Sequence, residues 1–525
     1  MSEIPPPGFT SVAEEQDSES LQFTEGIISS RESSVDAIIH PAGKEPDRID
    51  DLRAKLYILK DALRTKGFKG FVDCGYNAVM SMIGRKDLLP PEQKPEENEE
   101  EVPDIEGDID KAIQSSHPCD SNIRILDIVN YMICPPVSGG MLRVLAPLEK
   151  IPKDSGITID MVFGTWGAQY ARSCEDYLNR IPVIGLSKGV VVPLYTKDLP
   201  GIPEDLPKDV WITVSKVLLD YAVTLVSKEK YDIIQIEHSQ LSWMVPALRM
   251  ASPSSKIVLD AHNAEYRVFE TWLPHTTEKD RREIESNYQK MKAWESRVWG
   301  WYDAAFTVSP VEEDLLRAAG VEDVCLVPTG GGIDPAKYAP VPGIEKRYDI
   351  LYIGSMNWFP NYHGLKWFLR EVYPIIVSRR PGTDFHIVGN GTPDKELLRI
   401  VSKVKGVKFW GFQEDDVQFF HTSRVFVVPL WIGAGARVKI PTAWAAGIPI
   451  VSTVFGAEGL PAEDGRNMFL TDSPETFAED VISLLNNQEL SDRISQNALE
   501  TLRGNYTTEI CAEKLVKDYK EIAKH

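Results

Sequence analysis

Short apolar runs of strand length alternate with helix-length segments over most of this chain, and the pattern occurs twice. The first series of runs lies at 123–129, 159–163, 190–194, 233–236, 257–260 and 305–308, and the second at 350–353, 385–388, 407–410, 425–428 and 448–453. This alternation predicts mostly parallel sheets with helices on both faces, in which ligands bind beyond the C-terminal ends of the strands. Because 525 residues exceed what one compact core holds, we predict two doubly wound α/β domains, at 121–335 and 336–525.

The first 120 residues have a different character, and their composition predicts three segments. Residues 1–45 are rich in Ser, Glu and Pro, which predicts a disordered acidic N-terminus. Residues 46–88 are basic and place leucines at helical spacing, which predicts an amphipathic helical segment. Such a helix suits the interface of an anionic bilayer, or it packs as a helical hairpin on the protein's own surface. Residues 89–120 form a proline-containing acidic run that predicts a solvated linker.

The net charge and the cysteine pattern limit the class of protein. A formal charge of −21 argues against a general nucleic-acid binder, whose affinity depends on neutralising phosphates. The six cysteines show no CxxC pair and no zinc spacing, which predicts reduced thiols in a cytoplasmic setting. The N-terminus lacks the basic end and apolar core of a signal peptide, and no segment approaches about 18 uninterrupted apolar residues. We therefore predict a cytoplasmic protein, peripheral at the inner face of a membrane if residues 49–86 bind lipid.

The stretch 432–460 is the clearest candidate for a binding loop. Gly433 and Gly435 open a loop before a segment of helix-forming composition. Glycines let backbone N–H groups approach a ligand closely, and the first helical turn would add its positive dipole to the charges of Arg437 and Lys439. The pattern fits the binding of an anion such as a diphosphate, and it also fits a glycine turn that leads into an ordinary helix.

Two further sets of residues follow predicted strands of the first domain. Gly139 and Gly140 precede a helix-like segment, so they would lie at a helix N-terminus, where a phosphate or sugar oxygen can bind. Polar side chains end two neighbouring strands, and each histidine among them fits either a functional or a purely structural role. These candidate site residues are Glu237, His238, His262, Asn263 and Glu265.

Taken in order, the motifs of residues 121–525 resemble those of glycosyltransferase family 4, also called glycosyl transferases group 1. The matching segments are PPVSGG at 135–140, LDAHNAE at 259–265, FTVSPVEEDLL at 306–316, VPTGGGID at 327–334, YIGSMNWFPNYHG at 352–364, HIVGNGT at 386–392, and GAGARVKI through GAEGL. The resemblance implies the B-type glycosyltransferase fold, in which two Rossmann-like domains face a central cleft. It also implies retaining transfer of a sugar from a nucleotide-diphosphate donor to a glycan or lipid-linked acceptor, without a metal or other cofactor, in polysaccharide or glycoconjugate biosynthesis.

Position by position, the resemblance implies a role for each motif. His262 corresponds to a histidine at the transferring sugar, and Arg437 and Lys439 correspond to the cationic pair that faces the diphosphate. Fixed cations at that position stabilise the charge that grows as the glycosidic bond breaks. The implied donor-side positions are Gly139, Gly140, Gly354, Gly389, Gly391, Phe412, Gly433 and Gly435. Among them, Gly389 and Gly391 would lie beside the nucleoside and Phe412 at the base. The acceptor-side candidates are Glu237, His238, Asn263 and Glu265.

One departure from the family pattern concerns the ribose. The pattern places two glutamates eight positions apart, and the corresponding residues here are Ala434 and Thr442. Loss of the second acid removes a charged acceptor worth about 1.5–3 kcal/mol when desolvated. Thr442 can still make one hydrogen bond, and Glu458 on the next loop is a candidate substitute. The alternative function is therefore a catalytically weak or inactive binding or scaffold subunit, and a third is another enzyme of this fold, such as an epimerase or phosphorylase.

Overall fold

The computed structural model describes residues 104–116, 122–136, 138–165, 167–192, 205–328, 333–413, 415–435 and 437–524. The predictions for 1–45 and 46–88, and for most of 89–120, lie outside these residues. Within the described part of the chain, no helix is long and apolar enough to cross a membrane.

Two parallel sheets, each covered by helices, contain most of the regular structure. The first domain comprises α1 (Ile105–Ser115), β1 (Ile123–Val129), α2 (Gly139–Lys150), β2 (Ile157–Thr165), α3 (Ala168–Leu178), β3 (Ile184–Val191), α4 (Lys208–Trp211), α5 (Lys216–Lys228), β4 (Ile233–Glu237), α6 (Val245–Ala251), β5 (Lys256–Ala261), α7 (Glu265–Trp272), α8 (Glu278–Val298), β6 (Ala304–Thr307), α9 (Pro310–Ala318) and β7 (Asp323–Leu326). The later elements are α10 (Pro335–Tyr338), β8 (Tyr348–Ile353), α11 (Phe359–Trp367), α12 (Tyr373–Arg379), β9 (Phe385–Val388), α13 (Lys395–Lys403), β10 (Val407–Gly411), α14 (Val417–Thr422), β11 (Ser423–Val428), α15 (Lys439–Ala445), β12 (Ile450–Ser452), β13 (Phe469–Leu470), α16 (Pro474–Asn486), α17 (Gln488–Asn505) and α18 (Thr508–Ile522).

Both sheets have the doubly wound strand order. The first runs β3-β2-β1-β4-β5-β6-β7 and the second β10-β9-β8-β11-β12-β13, with parallel pairing throughout. In each sheet the winding direction reverses once, between β1 and β4 and between β8 and β11. The loops that follow these four strands therefore border the crevice in which such sheets bind ligands.

Most residues of the central strands are apolar and buried because helices cover both faces of each sheet. All nine residues of β2 are buried, and one set of side chains packs under the helices on each side of the first sheet. The second sheet likewise separates two apolar clusters. The predicted α/β class with two doubly wound domains is therefore confirmed.

The acidic segment before β1 differs from the predicted linker over residues 105–115. This part forms α1, whose Ile109 is buried in the core of the first domain. Its acids have partners there, since Tyr221 donates to Asp108 at 2.8 Å and Lys228 pairs with Asp110 at 2.6 Å. The single apolar face of a short acidic helix is enough to dock it, and composition alone did not reveal that face.

The C-terminal helix also departs from the predicted boundary, because the predicted second domain extended to residue 525. Instead, α18 packs against α2, and its apolar face belongs to the core of the first domain. Leu515 and Tyr519 are buried there, and the Tyr519 hydroxyl donates to Gln235 Oε1 at 2.6 Å. The chain therefore returns to its first domain at the end. The helix that follows the glycines of the predicted binding loop, α15, begins at Lys439.

Candidate active site

Glycine loops of the two domains meet in the cleft. A Cβ added to Gly139 would lie 3.3 Å from Val438 Cγ2, and one added to Gly435 would lie 2.7 Å from the His262 carbonyl oxygen. Gly435 adopts φ +69°, which favours glycine, and the close contact excludes a side chain as well. Glycines at these positions let the backbones of the two domains come close together. The predicted loops after β1, β5 and β11 are therefore in contact.

The glycine loop after β1 lies at the start of a capped helix. Ser138 accepts a hydrogen bond from the backbone N–H of Met141, and α2 begins directly after it with Gly139 and Gly140. A Cβ added to Gly140 would stand 3.5 Å from His262 Nδ1 and 3.5 Å from the Tyr131 hydroxyl. The imidazole that the resemblance places at the transferring sugar therefore faces this helix N-terminus.

A chain of buried hydrogen bonds orients His262. Its Nε2 lies 2.6 Å from Glu237 Oε2, and Glu237 Oε1 accepts from Gln235 Nε2 at 2.6 Å. Gln235 in turn accepts the hydrogen bond from Tyr519 of α18. The His262 side chain is only 6% exposed and that of Glu237 is fully buried, so the imidazole has little freedom to rotate.

The protonation of this chain follows from its burial. Burial and the neighbouring Glu237 raise the pKa of Asp127 well above its usual value, because two adjacent carboxyls do not both ionise in a low dielectric. Burial raises the pKa of Glu237 as well, but hydrogen bonds from Gln235 and Asp127 oppose that shift, so Asp127 is the one of the two carboxyls that holds the proton. Burial, with the nearby His238, holds the pKa of His262 well below its usual value. Neutral His262 thus donates Nε2–H to Glu237 and presents the Nδ1 lone pair on the side of Gly140.

The acceptor-side candidates form a second group around His238. Its Nε2 lies 3.3 Å from the Tyr131 hydroxyl, and its Nδ1 lies 3.2 Å from Glu265 Oε1. Asn263 Nδ2 donates to the other Glu265 oxygen at 3.1 Å, and the rings of His238 and His262 are 3.8 Å apart. His238 also adopts φ +70°, a conformation that non-glycine residues rarely adopt and that often marks functional sites. The structure therefore brings His238, Asn263 and Glu265 together beside His262, whereas the fourth acceptor-side candidate, Glu237, is fully buried and bonds to His262 instead of facing the cleft.

A divalent cation would find three potential ligands at this edge. Glu237, Asp260 and His262 bring one ligand atom each within 4.8 Å of one another, the one such group among the residues that the structure describes. These atoms already have partners: His262 bonds to Glu237, and Arg143 donates twice to Asp260, at 3.0 Å through Nε and 2.5 Å through Nη2. A metal would have to displace the His262–Glu237 hydrogen bond and the Arg143–Asp260 ion pair, so the donor set is satisfied by protein groups.

Arg437 is buried at the loop that precedes α15. Only 8% of the residue is exposed, and its Nη1 donates to the carbonyl oxygens of Ala434, at 2.8 Å, and Gly435. Its Nη2 makes no hydrogen bond with any described residue. Burial lowers the pKa of Arg437 to about 10, against the opposing effect of Glu458 and Glu312, so the guanidinium keeps its charge at neutral pH. A buried cation with an unused N–H group is prepared for an anion.

Lys439 supplies the second cation beside it. Its Nζ donates to the Tyr352 hydroxyl and to Asn361 Oδ1, each at 3.0 Å, and lies 4.5 Å above the Tyr352 ring. Neither partner carries a negative charge. Burial, together with the nearby charge of Arg437, lowers the pKa of Lys439 to about 7. A Cβ added to Gly354 would lie 3.0 Å from the ammonium, so this glycine leaves the space that the lysine occupies.

The other donor-side glycines line the same edge of the second sheet. A Cβ on Gly389 would lie 1.8 Å from the Gly354 carbonyl oxygen, so the loops after β8 and β9 are in direct contact. Gly391 adopts φ +89°, which favours glycine. Gly389 N–H donates to the Gly411 carbonyl at 2.9 Å, which places the following Phe412 next to these loops. The predicted donor-side loops are therefore adjacent.

Thr442 and Glu458 make contacts that limit their predicted roles at the ribose. The Thr442 hydroxyl donates to the Val438 carbonyl at 2.9 Å within α15, so its proton is already used. Glu458 accepts from Arg267 Nη2 at 3.1 Å, an ion pair between the two domains. In this arrangement, Glu458 links the domains, and its charge opposes the lowering of the Arg437 pKa by burial.

Several residues of the site were not singled out from the sequence. Arg143 is 117 positions from its partner Asp260, and Tyr519 is 284 positions from Gln235. A charged residue in a predicted buried strand, such as Asp260, signals that some cation must neutralise it. The sequence does not identify the partner, because that depends on how the helices pack.

The fold and site geometry define the class of the protein. Two parallel doubly wound sheets that meet at glycine loops, with a cationic pair on the second, are the B-type glycosyltransferase fold, which confirms the predicted fold. Residues 347–487 match the family described as Glycosyl transferases group 1, so the second domain is a group 1 glycosyltransferase domain.

Individual relatives agree with this class. HepE from Anabaena, crystallised with UDP, superposes with a TM-score of 0.53 at 14% identity, over 76% of this chain and 100% of that one. Sucrose-phosphate synthase from Thermosynechococcus elongatus gives a TM-score of 0.55 at 16% identity, over 76% and 99%. An uncharacterized 44.6 kDa protein in the cps region of Klebsiella pneumoniae is 24% identical over 176 residues, 32% of this chain and 45% of that one. The chain spans about half the length of the curated relatives it matches.

Proposed function

We propose that this protein is a retaining, metal-independent glycosyltransferase that transfers a sugar from a nucleotide-diphosphate sugar to a glycan or lipid-linked acceptor in polysaccharide or glycoconjugate biosynthesis. The observation that carries the proposal is the pair Arg437 and Lys439. Arg437 is buried and Lys439 is partly buried beside the loop that bears His262, and no carboxylate hydrogen-bonds to either among the described residues. A diphosphate supplies the charge that such a pair lacks.

In this proposal each group has a task in the transfer. As the bond between the anomeric carbon and the diphosphate breaks, negative charge grows on the leaving oxygen, and Arg437 Nη2 and Lys439 Nζ stabilise it. These two cations supply the stabilisation that a metal provides in other transferases. The Nδ1 lone pair of His262 accepts a hydrogen bond from a hydroxyl of the transferring sugar, which fixes the orientation of the sugar. Retention of configuration rests on the resemblance to family 4.

UDP-glucose is the first donor to test, since the similarly folded HepE was crystallised with UDP and with UDP-glucose. Its stabilising effect should be measurable, because a ligand at about 100 times its dissociation constant adds about 2.7 kcal/mol to the free energy of unfolding. Thermal unfolding of the full chain with UDP-glucose and with other nucleotide sugars would identify the base and the sugar.

The decisive variant is Arg437→Ala. We expect it to lower the release of UDP from UDP-glucose, or from the donor that the unfolding screen selects, by more than tenfold, because the diphosphate loses its buried cation. The matched control is Arg379→Ala on α12, which removes an exposed arginine paired with Glu479. Unchanged donor turnover in Arg437→Ala would refute the diphosphate assignment.

A binding or scaffold subunit without turnover is the second candidate. Thr442 stands where the family pattern has a carboxylate, and its hydroxyl proton is used within α15. Such a subunit would bind nucleotide sugars in the unfolding experiment and would not hydrolyse them on prolonged incubation. Slow hydrolysis of any bound donor excludes this candidate.

The lipid-linked form of the acceptor depends on residues 49–86. Their basic, amphipathic sequence would concentrate the protein at an anionic membrane surface, where such an acceptor lies. Co-sedimentation of the full chain with vesicles containing anionic lipid tests this, with neutral vesicles as the control. Equal recovery with both kinds of vesicle removes the membrane contact from the proposal.

A further inference from the structure

A separate cavity opens at the rim of the cleft, on the other side of the loop that follows β11. Its volume is about 600 Å³, within the range of about 300–1,000 Å³ that small-molecule sites occupy. The first domain contributes the end of α7 and the start of α8, and the second domain contributes α11 with the residues just after it, the start of α13 and the loop after β11. We call it the aromatic pocket after its main lining residues, which are Trp272, His275, Phe359, His363, Trp367 and Trp431.

Ring contacts fix the walls of the aromatic pocket. Trp272 stacks on Phe359 across the two domains, with centroids 4.3 Å apart and planes at 27°. His275 meets His363 edge-on at 5.0 Å, and Trp367 meets Trp431 edge-on at 5.1 Å. Burial lowers the pKa of both histidines, that of His363 to about 4, so their rings are neutral at pH 7. The walls are therefore built mainly of uncharged aromatic rings that hold one another in place.

Charged side chains at the edge of the pocket decide which ligands it excludes. Two cations, Lys366 and Arg370, line it together with the three acids Asp280, Glu371 and Glu396. Glu396 pairs with both cations, at 2.7 Å from Lys366. The excess of carboxylates disfavours a phosphate or another anion, in contrast to the neighbouring cationic pair. The ligand that fits is neutral, with hydrogen-bonding groups along its edge.

A sugar ring has this combination of surfaces. Its C–H groups pack against the negative face of an aromatic ring, and its hydroxyls bond to carboxylates and amines at the rim. His363 Nδ1 and Trp431 Nε1 are also buried and make no hydrogen bond with any described residue. Each nitrogen is therefore available to hydrogen-bond with a hydroxyl of the ligand.

The aromatic pocket adjoins the loop that the proposed donor would contact. Thr271 Oγ1 accepts from Gly433 N–H at 3.0 Å and donates to Gly433 O at 3.0 Å, and Trp272 is the next residue. Trp431 precedes Gly433 by two positions, and Phe359 follows Gly354 by five. A ligand in the pocket is therefore separated from the cationic site by a single loop.

We propose that the aromatic pocket is a saccharide-binding site that holds a neutral sugar unit of the acceptor. The assignment of this ligand to the acceptor rests on the proposed transferase function. Its assignment as a saccharide rests on the pocket alone. The acceptor is accordingly a neutral glycan, at least at the sugar unit that occupies this site.

The test uses the full chain on an array of neutral oligosaccharides of glucose, galactose, mannose, rhamnose and N-acetylhexosamines. Bound sugars are then titrated by tryptophan fluorescence. We expect Trp272→Leu and Phe359→Leu to weaken the binding of the selected oligosaccharide at least tenfold. The matched control is Trp358→Leu, since Trp358 is 50% exposed, adjoins Phe359 and does not line the pocket. It should change the affinity less than twofold.

Binding of UDP, measured in parallel by thermal unfolding, separates the two proposals and verifies that each variant folds. A chain that binds UDP but no neutral oligosaccharide overturns the saccharide site, as do pocket variants that keep the full affinity. A chain that binds oligosaccharide through the pocket but no nucleotide of any kind overturns the transferase proposal and leaves the saccharide site in place.

Discussion

At the scale of single residues, the candidate site concentrates unneutralised positive charge. Arg437 is buried and Lys439 lies beside it, and the hydrogen-bond partners of Lys439 are an uncharged hydroxyl and an amide. Desolvation and mutual repulsion both work against the charged form of Lys439. The protein tolerates this arrangement because a ligand can relieve it, as is common where stability and function compete.

Lys439 predicts a pH dependence of donor binding. Its pKa of about 7 in the free protein lies below the ordinary value of 10.5, and a bound diphosphate would raise it. Binding above pH 7 must then take up a proton, so the affinity for UDP-glucose should be greatest below pH 7 and decline as the pH rises from 7 toward 9. The affinity falls with rising pH because only protonated Lys439 attracts the diphosphate.

Calorimetry of UDP-glucose binding in buffers of different ionisation enthalpy measures this proton uptake directly. Lys439→Met serves as the control, because it removes the titrating group: binding should become weaker and lose the proton uptake. An affinity of the natural chain that is constant between pH 6 and pH 9 would contradict the assignment of Lys439 to the diphosphate.

At the scale of secondary-structure elements, the final helix completes the first domain. Tyr519 of α18 bonds to Gln235, which bonds to Glu237, the partner of His262. A helix from the end of the chain therefore supports the side chain that faces the glycine loop of α2. The orientation of His262 depends on the docking of α18, although the two are far apart in the sequence.

Tyr519→Phe should destabilise the protein by about 1–3 kcal/mol, because the buried Gln235 oxygen loses its donor. Urea unfolding of the full chain measures the change. The control is Tyr506→Phe, a buried tyrosine whose hydroxyl makes no hydrogen bond to the described residues and whose loss should change stability little. If the two variants unfold at the same urea concentration, the hydrogen-bonded chain does not contribute as the geometry indicates.

At the scale of the whole described molecule, contacts from the first domain set the conformation of the loop after β11. Gly435 N–H donates to Glu312 Oε1 at 3.1 Å, and Gly433 bonds to Thr271. The ion pair between Arg267 and Glu458 adds a second link between the domains. Since this loop carries the proposed anion site, closure of the domains and binding of the donor should be coupled.

Gly435→Ala tests this coupling. An added Cβ would lie 2.7 Å from the His262 carbonyl oxygen, so the loop must move away from the first domain, and we expect UDP affinity to fall at least tenfold. Gly343→Ala is the matched control, because Gly343 also has a left-handed φ, +83°, but nothing lies within 4 Å of its Cβ position.

Both substitutions carry the backbone cost of an L residue at positive φ, about 1–2 kcal/mol, which unfolding experiments measure. Only Gly435→Ala adds the clash between domains, which titration with UDP measures. Equal UDP affinities of the two variants would show that the contact with His262 has no role in binding.

The sequence by itself determined the fold class and most of the strands, because apolar periodicity and glycine positions are local signals. It also singled out Arg437, Lys439, His262 and the glycine loops, since these follow strands at the edges where doubly wound sheets bind ligands. Local composition failed for 105–115, where one apolar face docks an acidic helix, and for α18, whose apolar residues do not indicate which domain they contact.

Only the tertiary structure decided which distant groups neutralise and orient the site. Arg143 reaches Asp260, Tyr519 reaches Gln235, and Arg267 reaches Glu458, each across more than a hundred positions of sequence. The aromatic pocket likewise exists only because Trp272 and Phe359 come from different domains. Such pairs depend on the packing of whole elements, and hydrophobic packing is non-directional, so no local pattern specifies them.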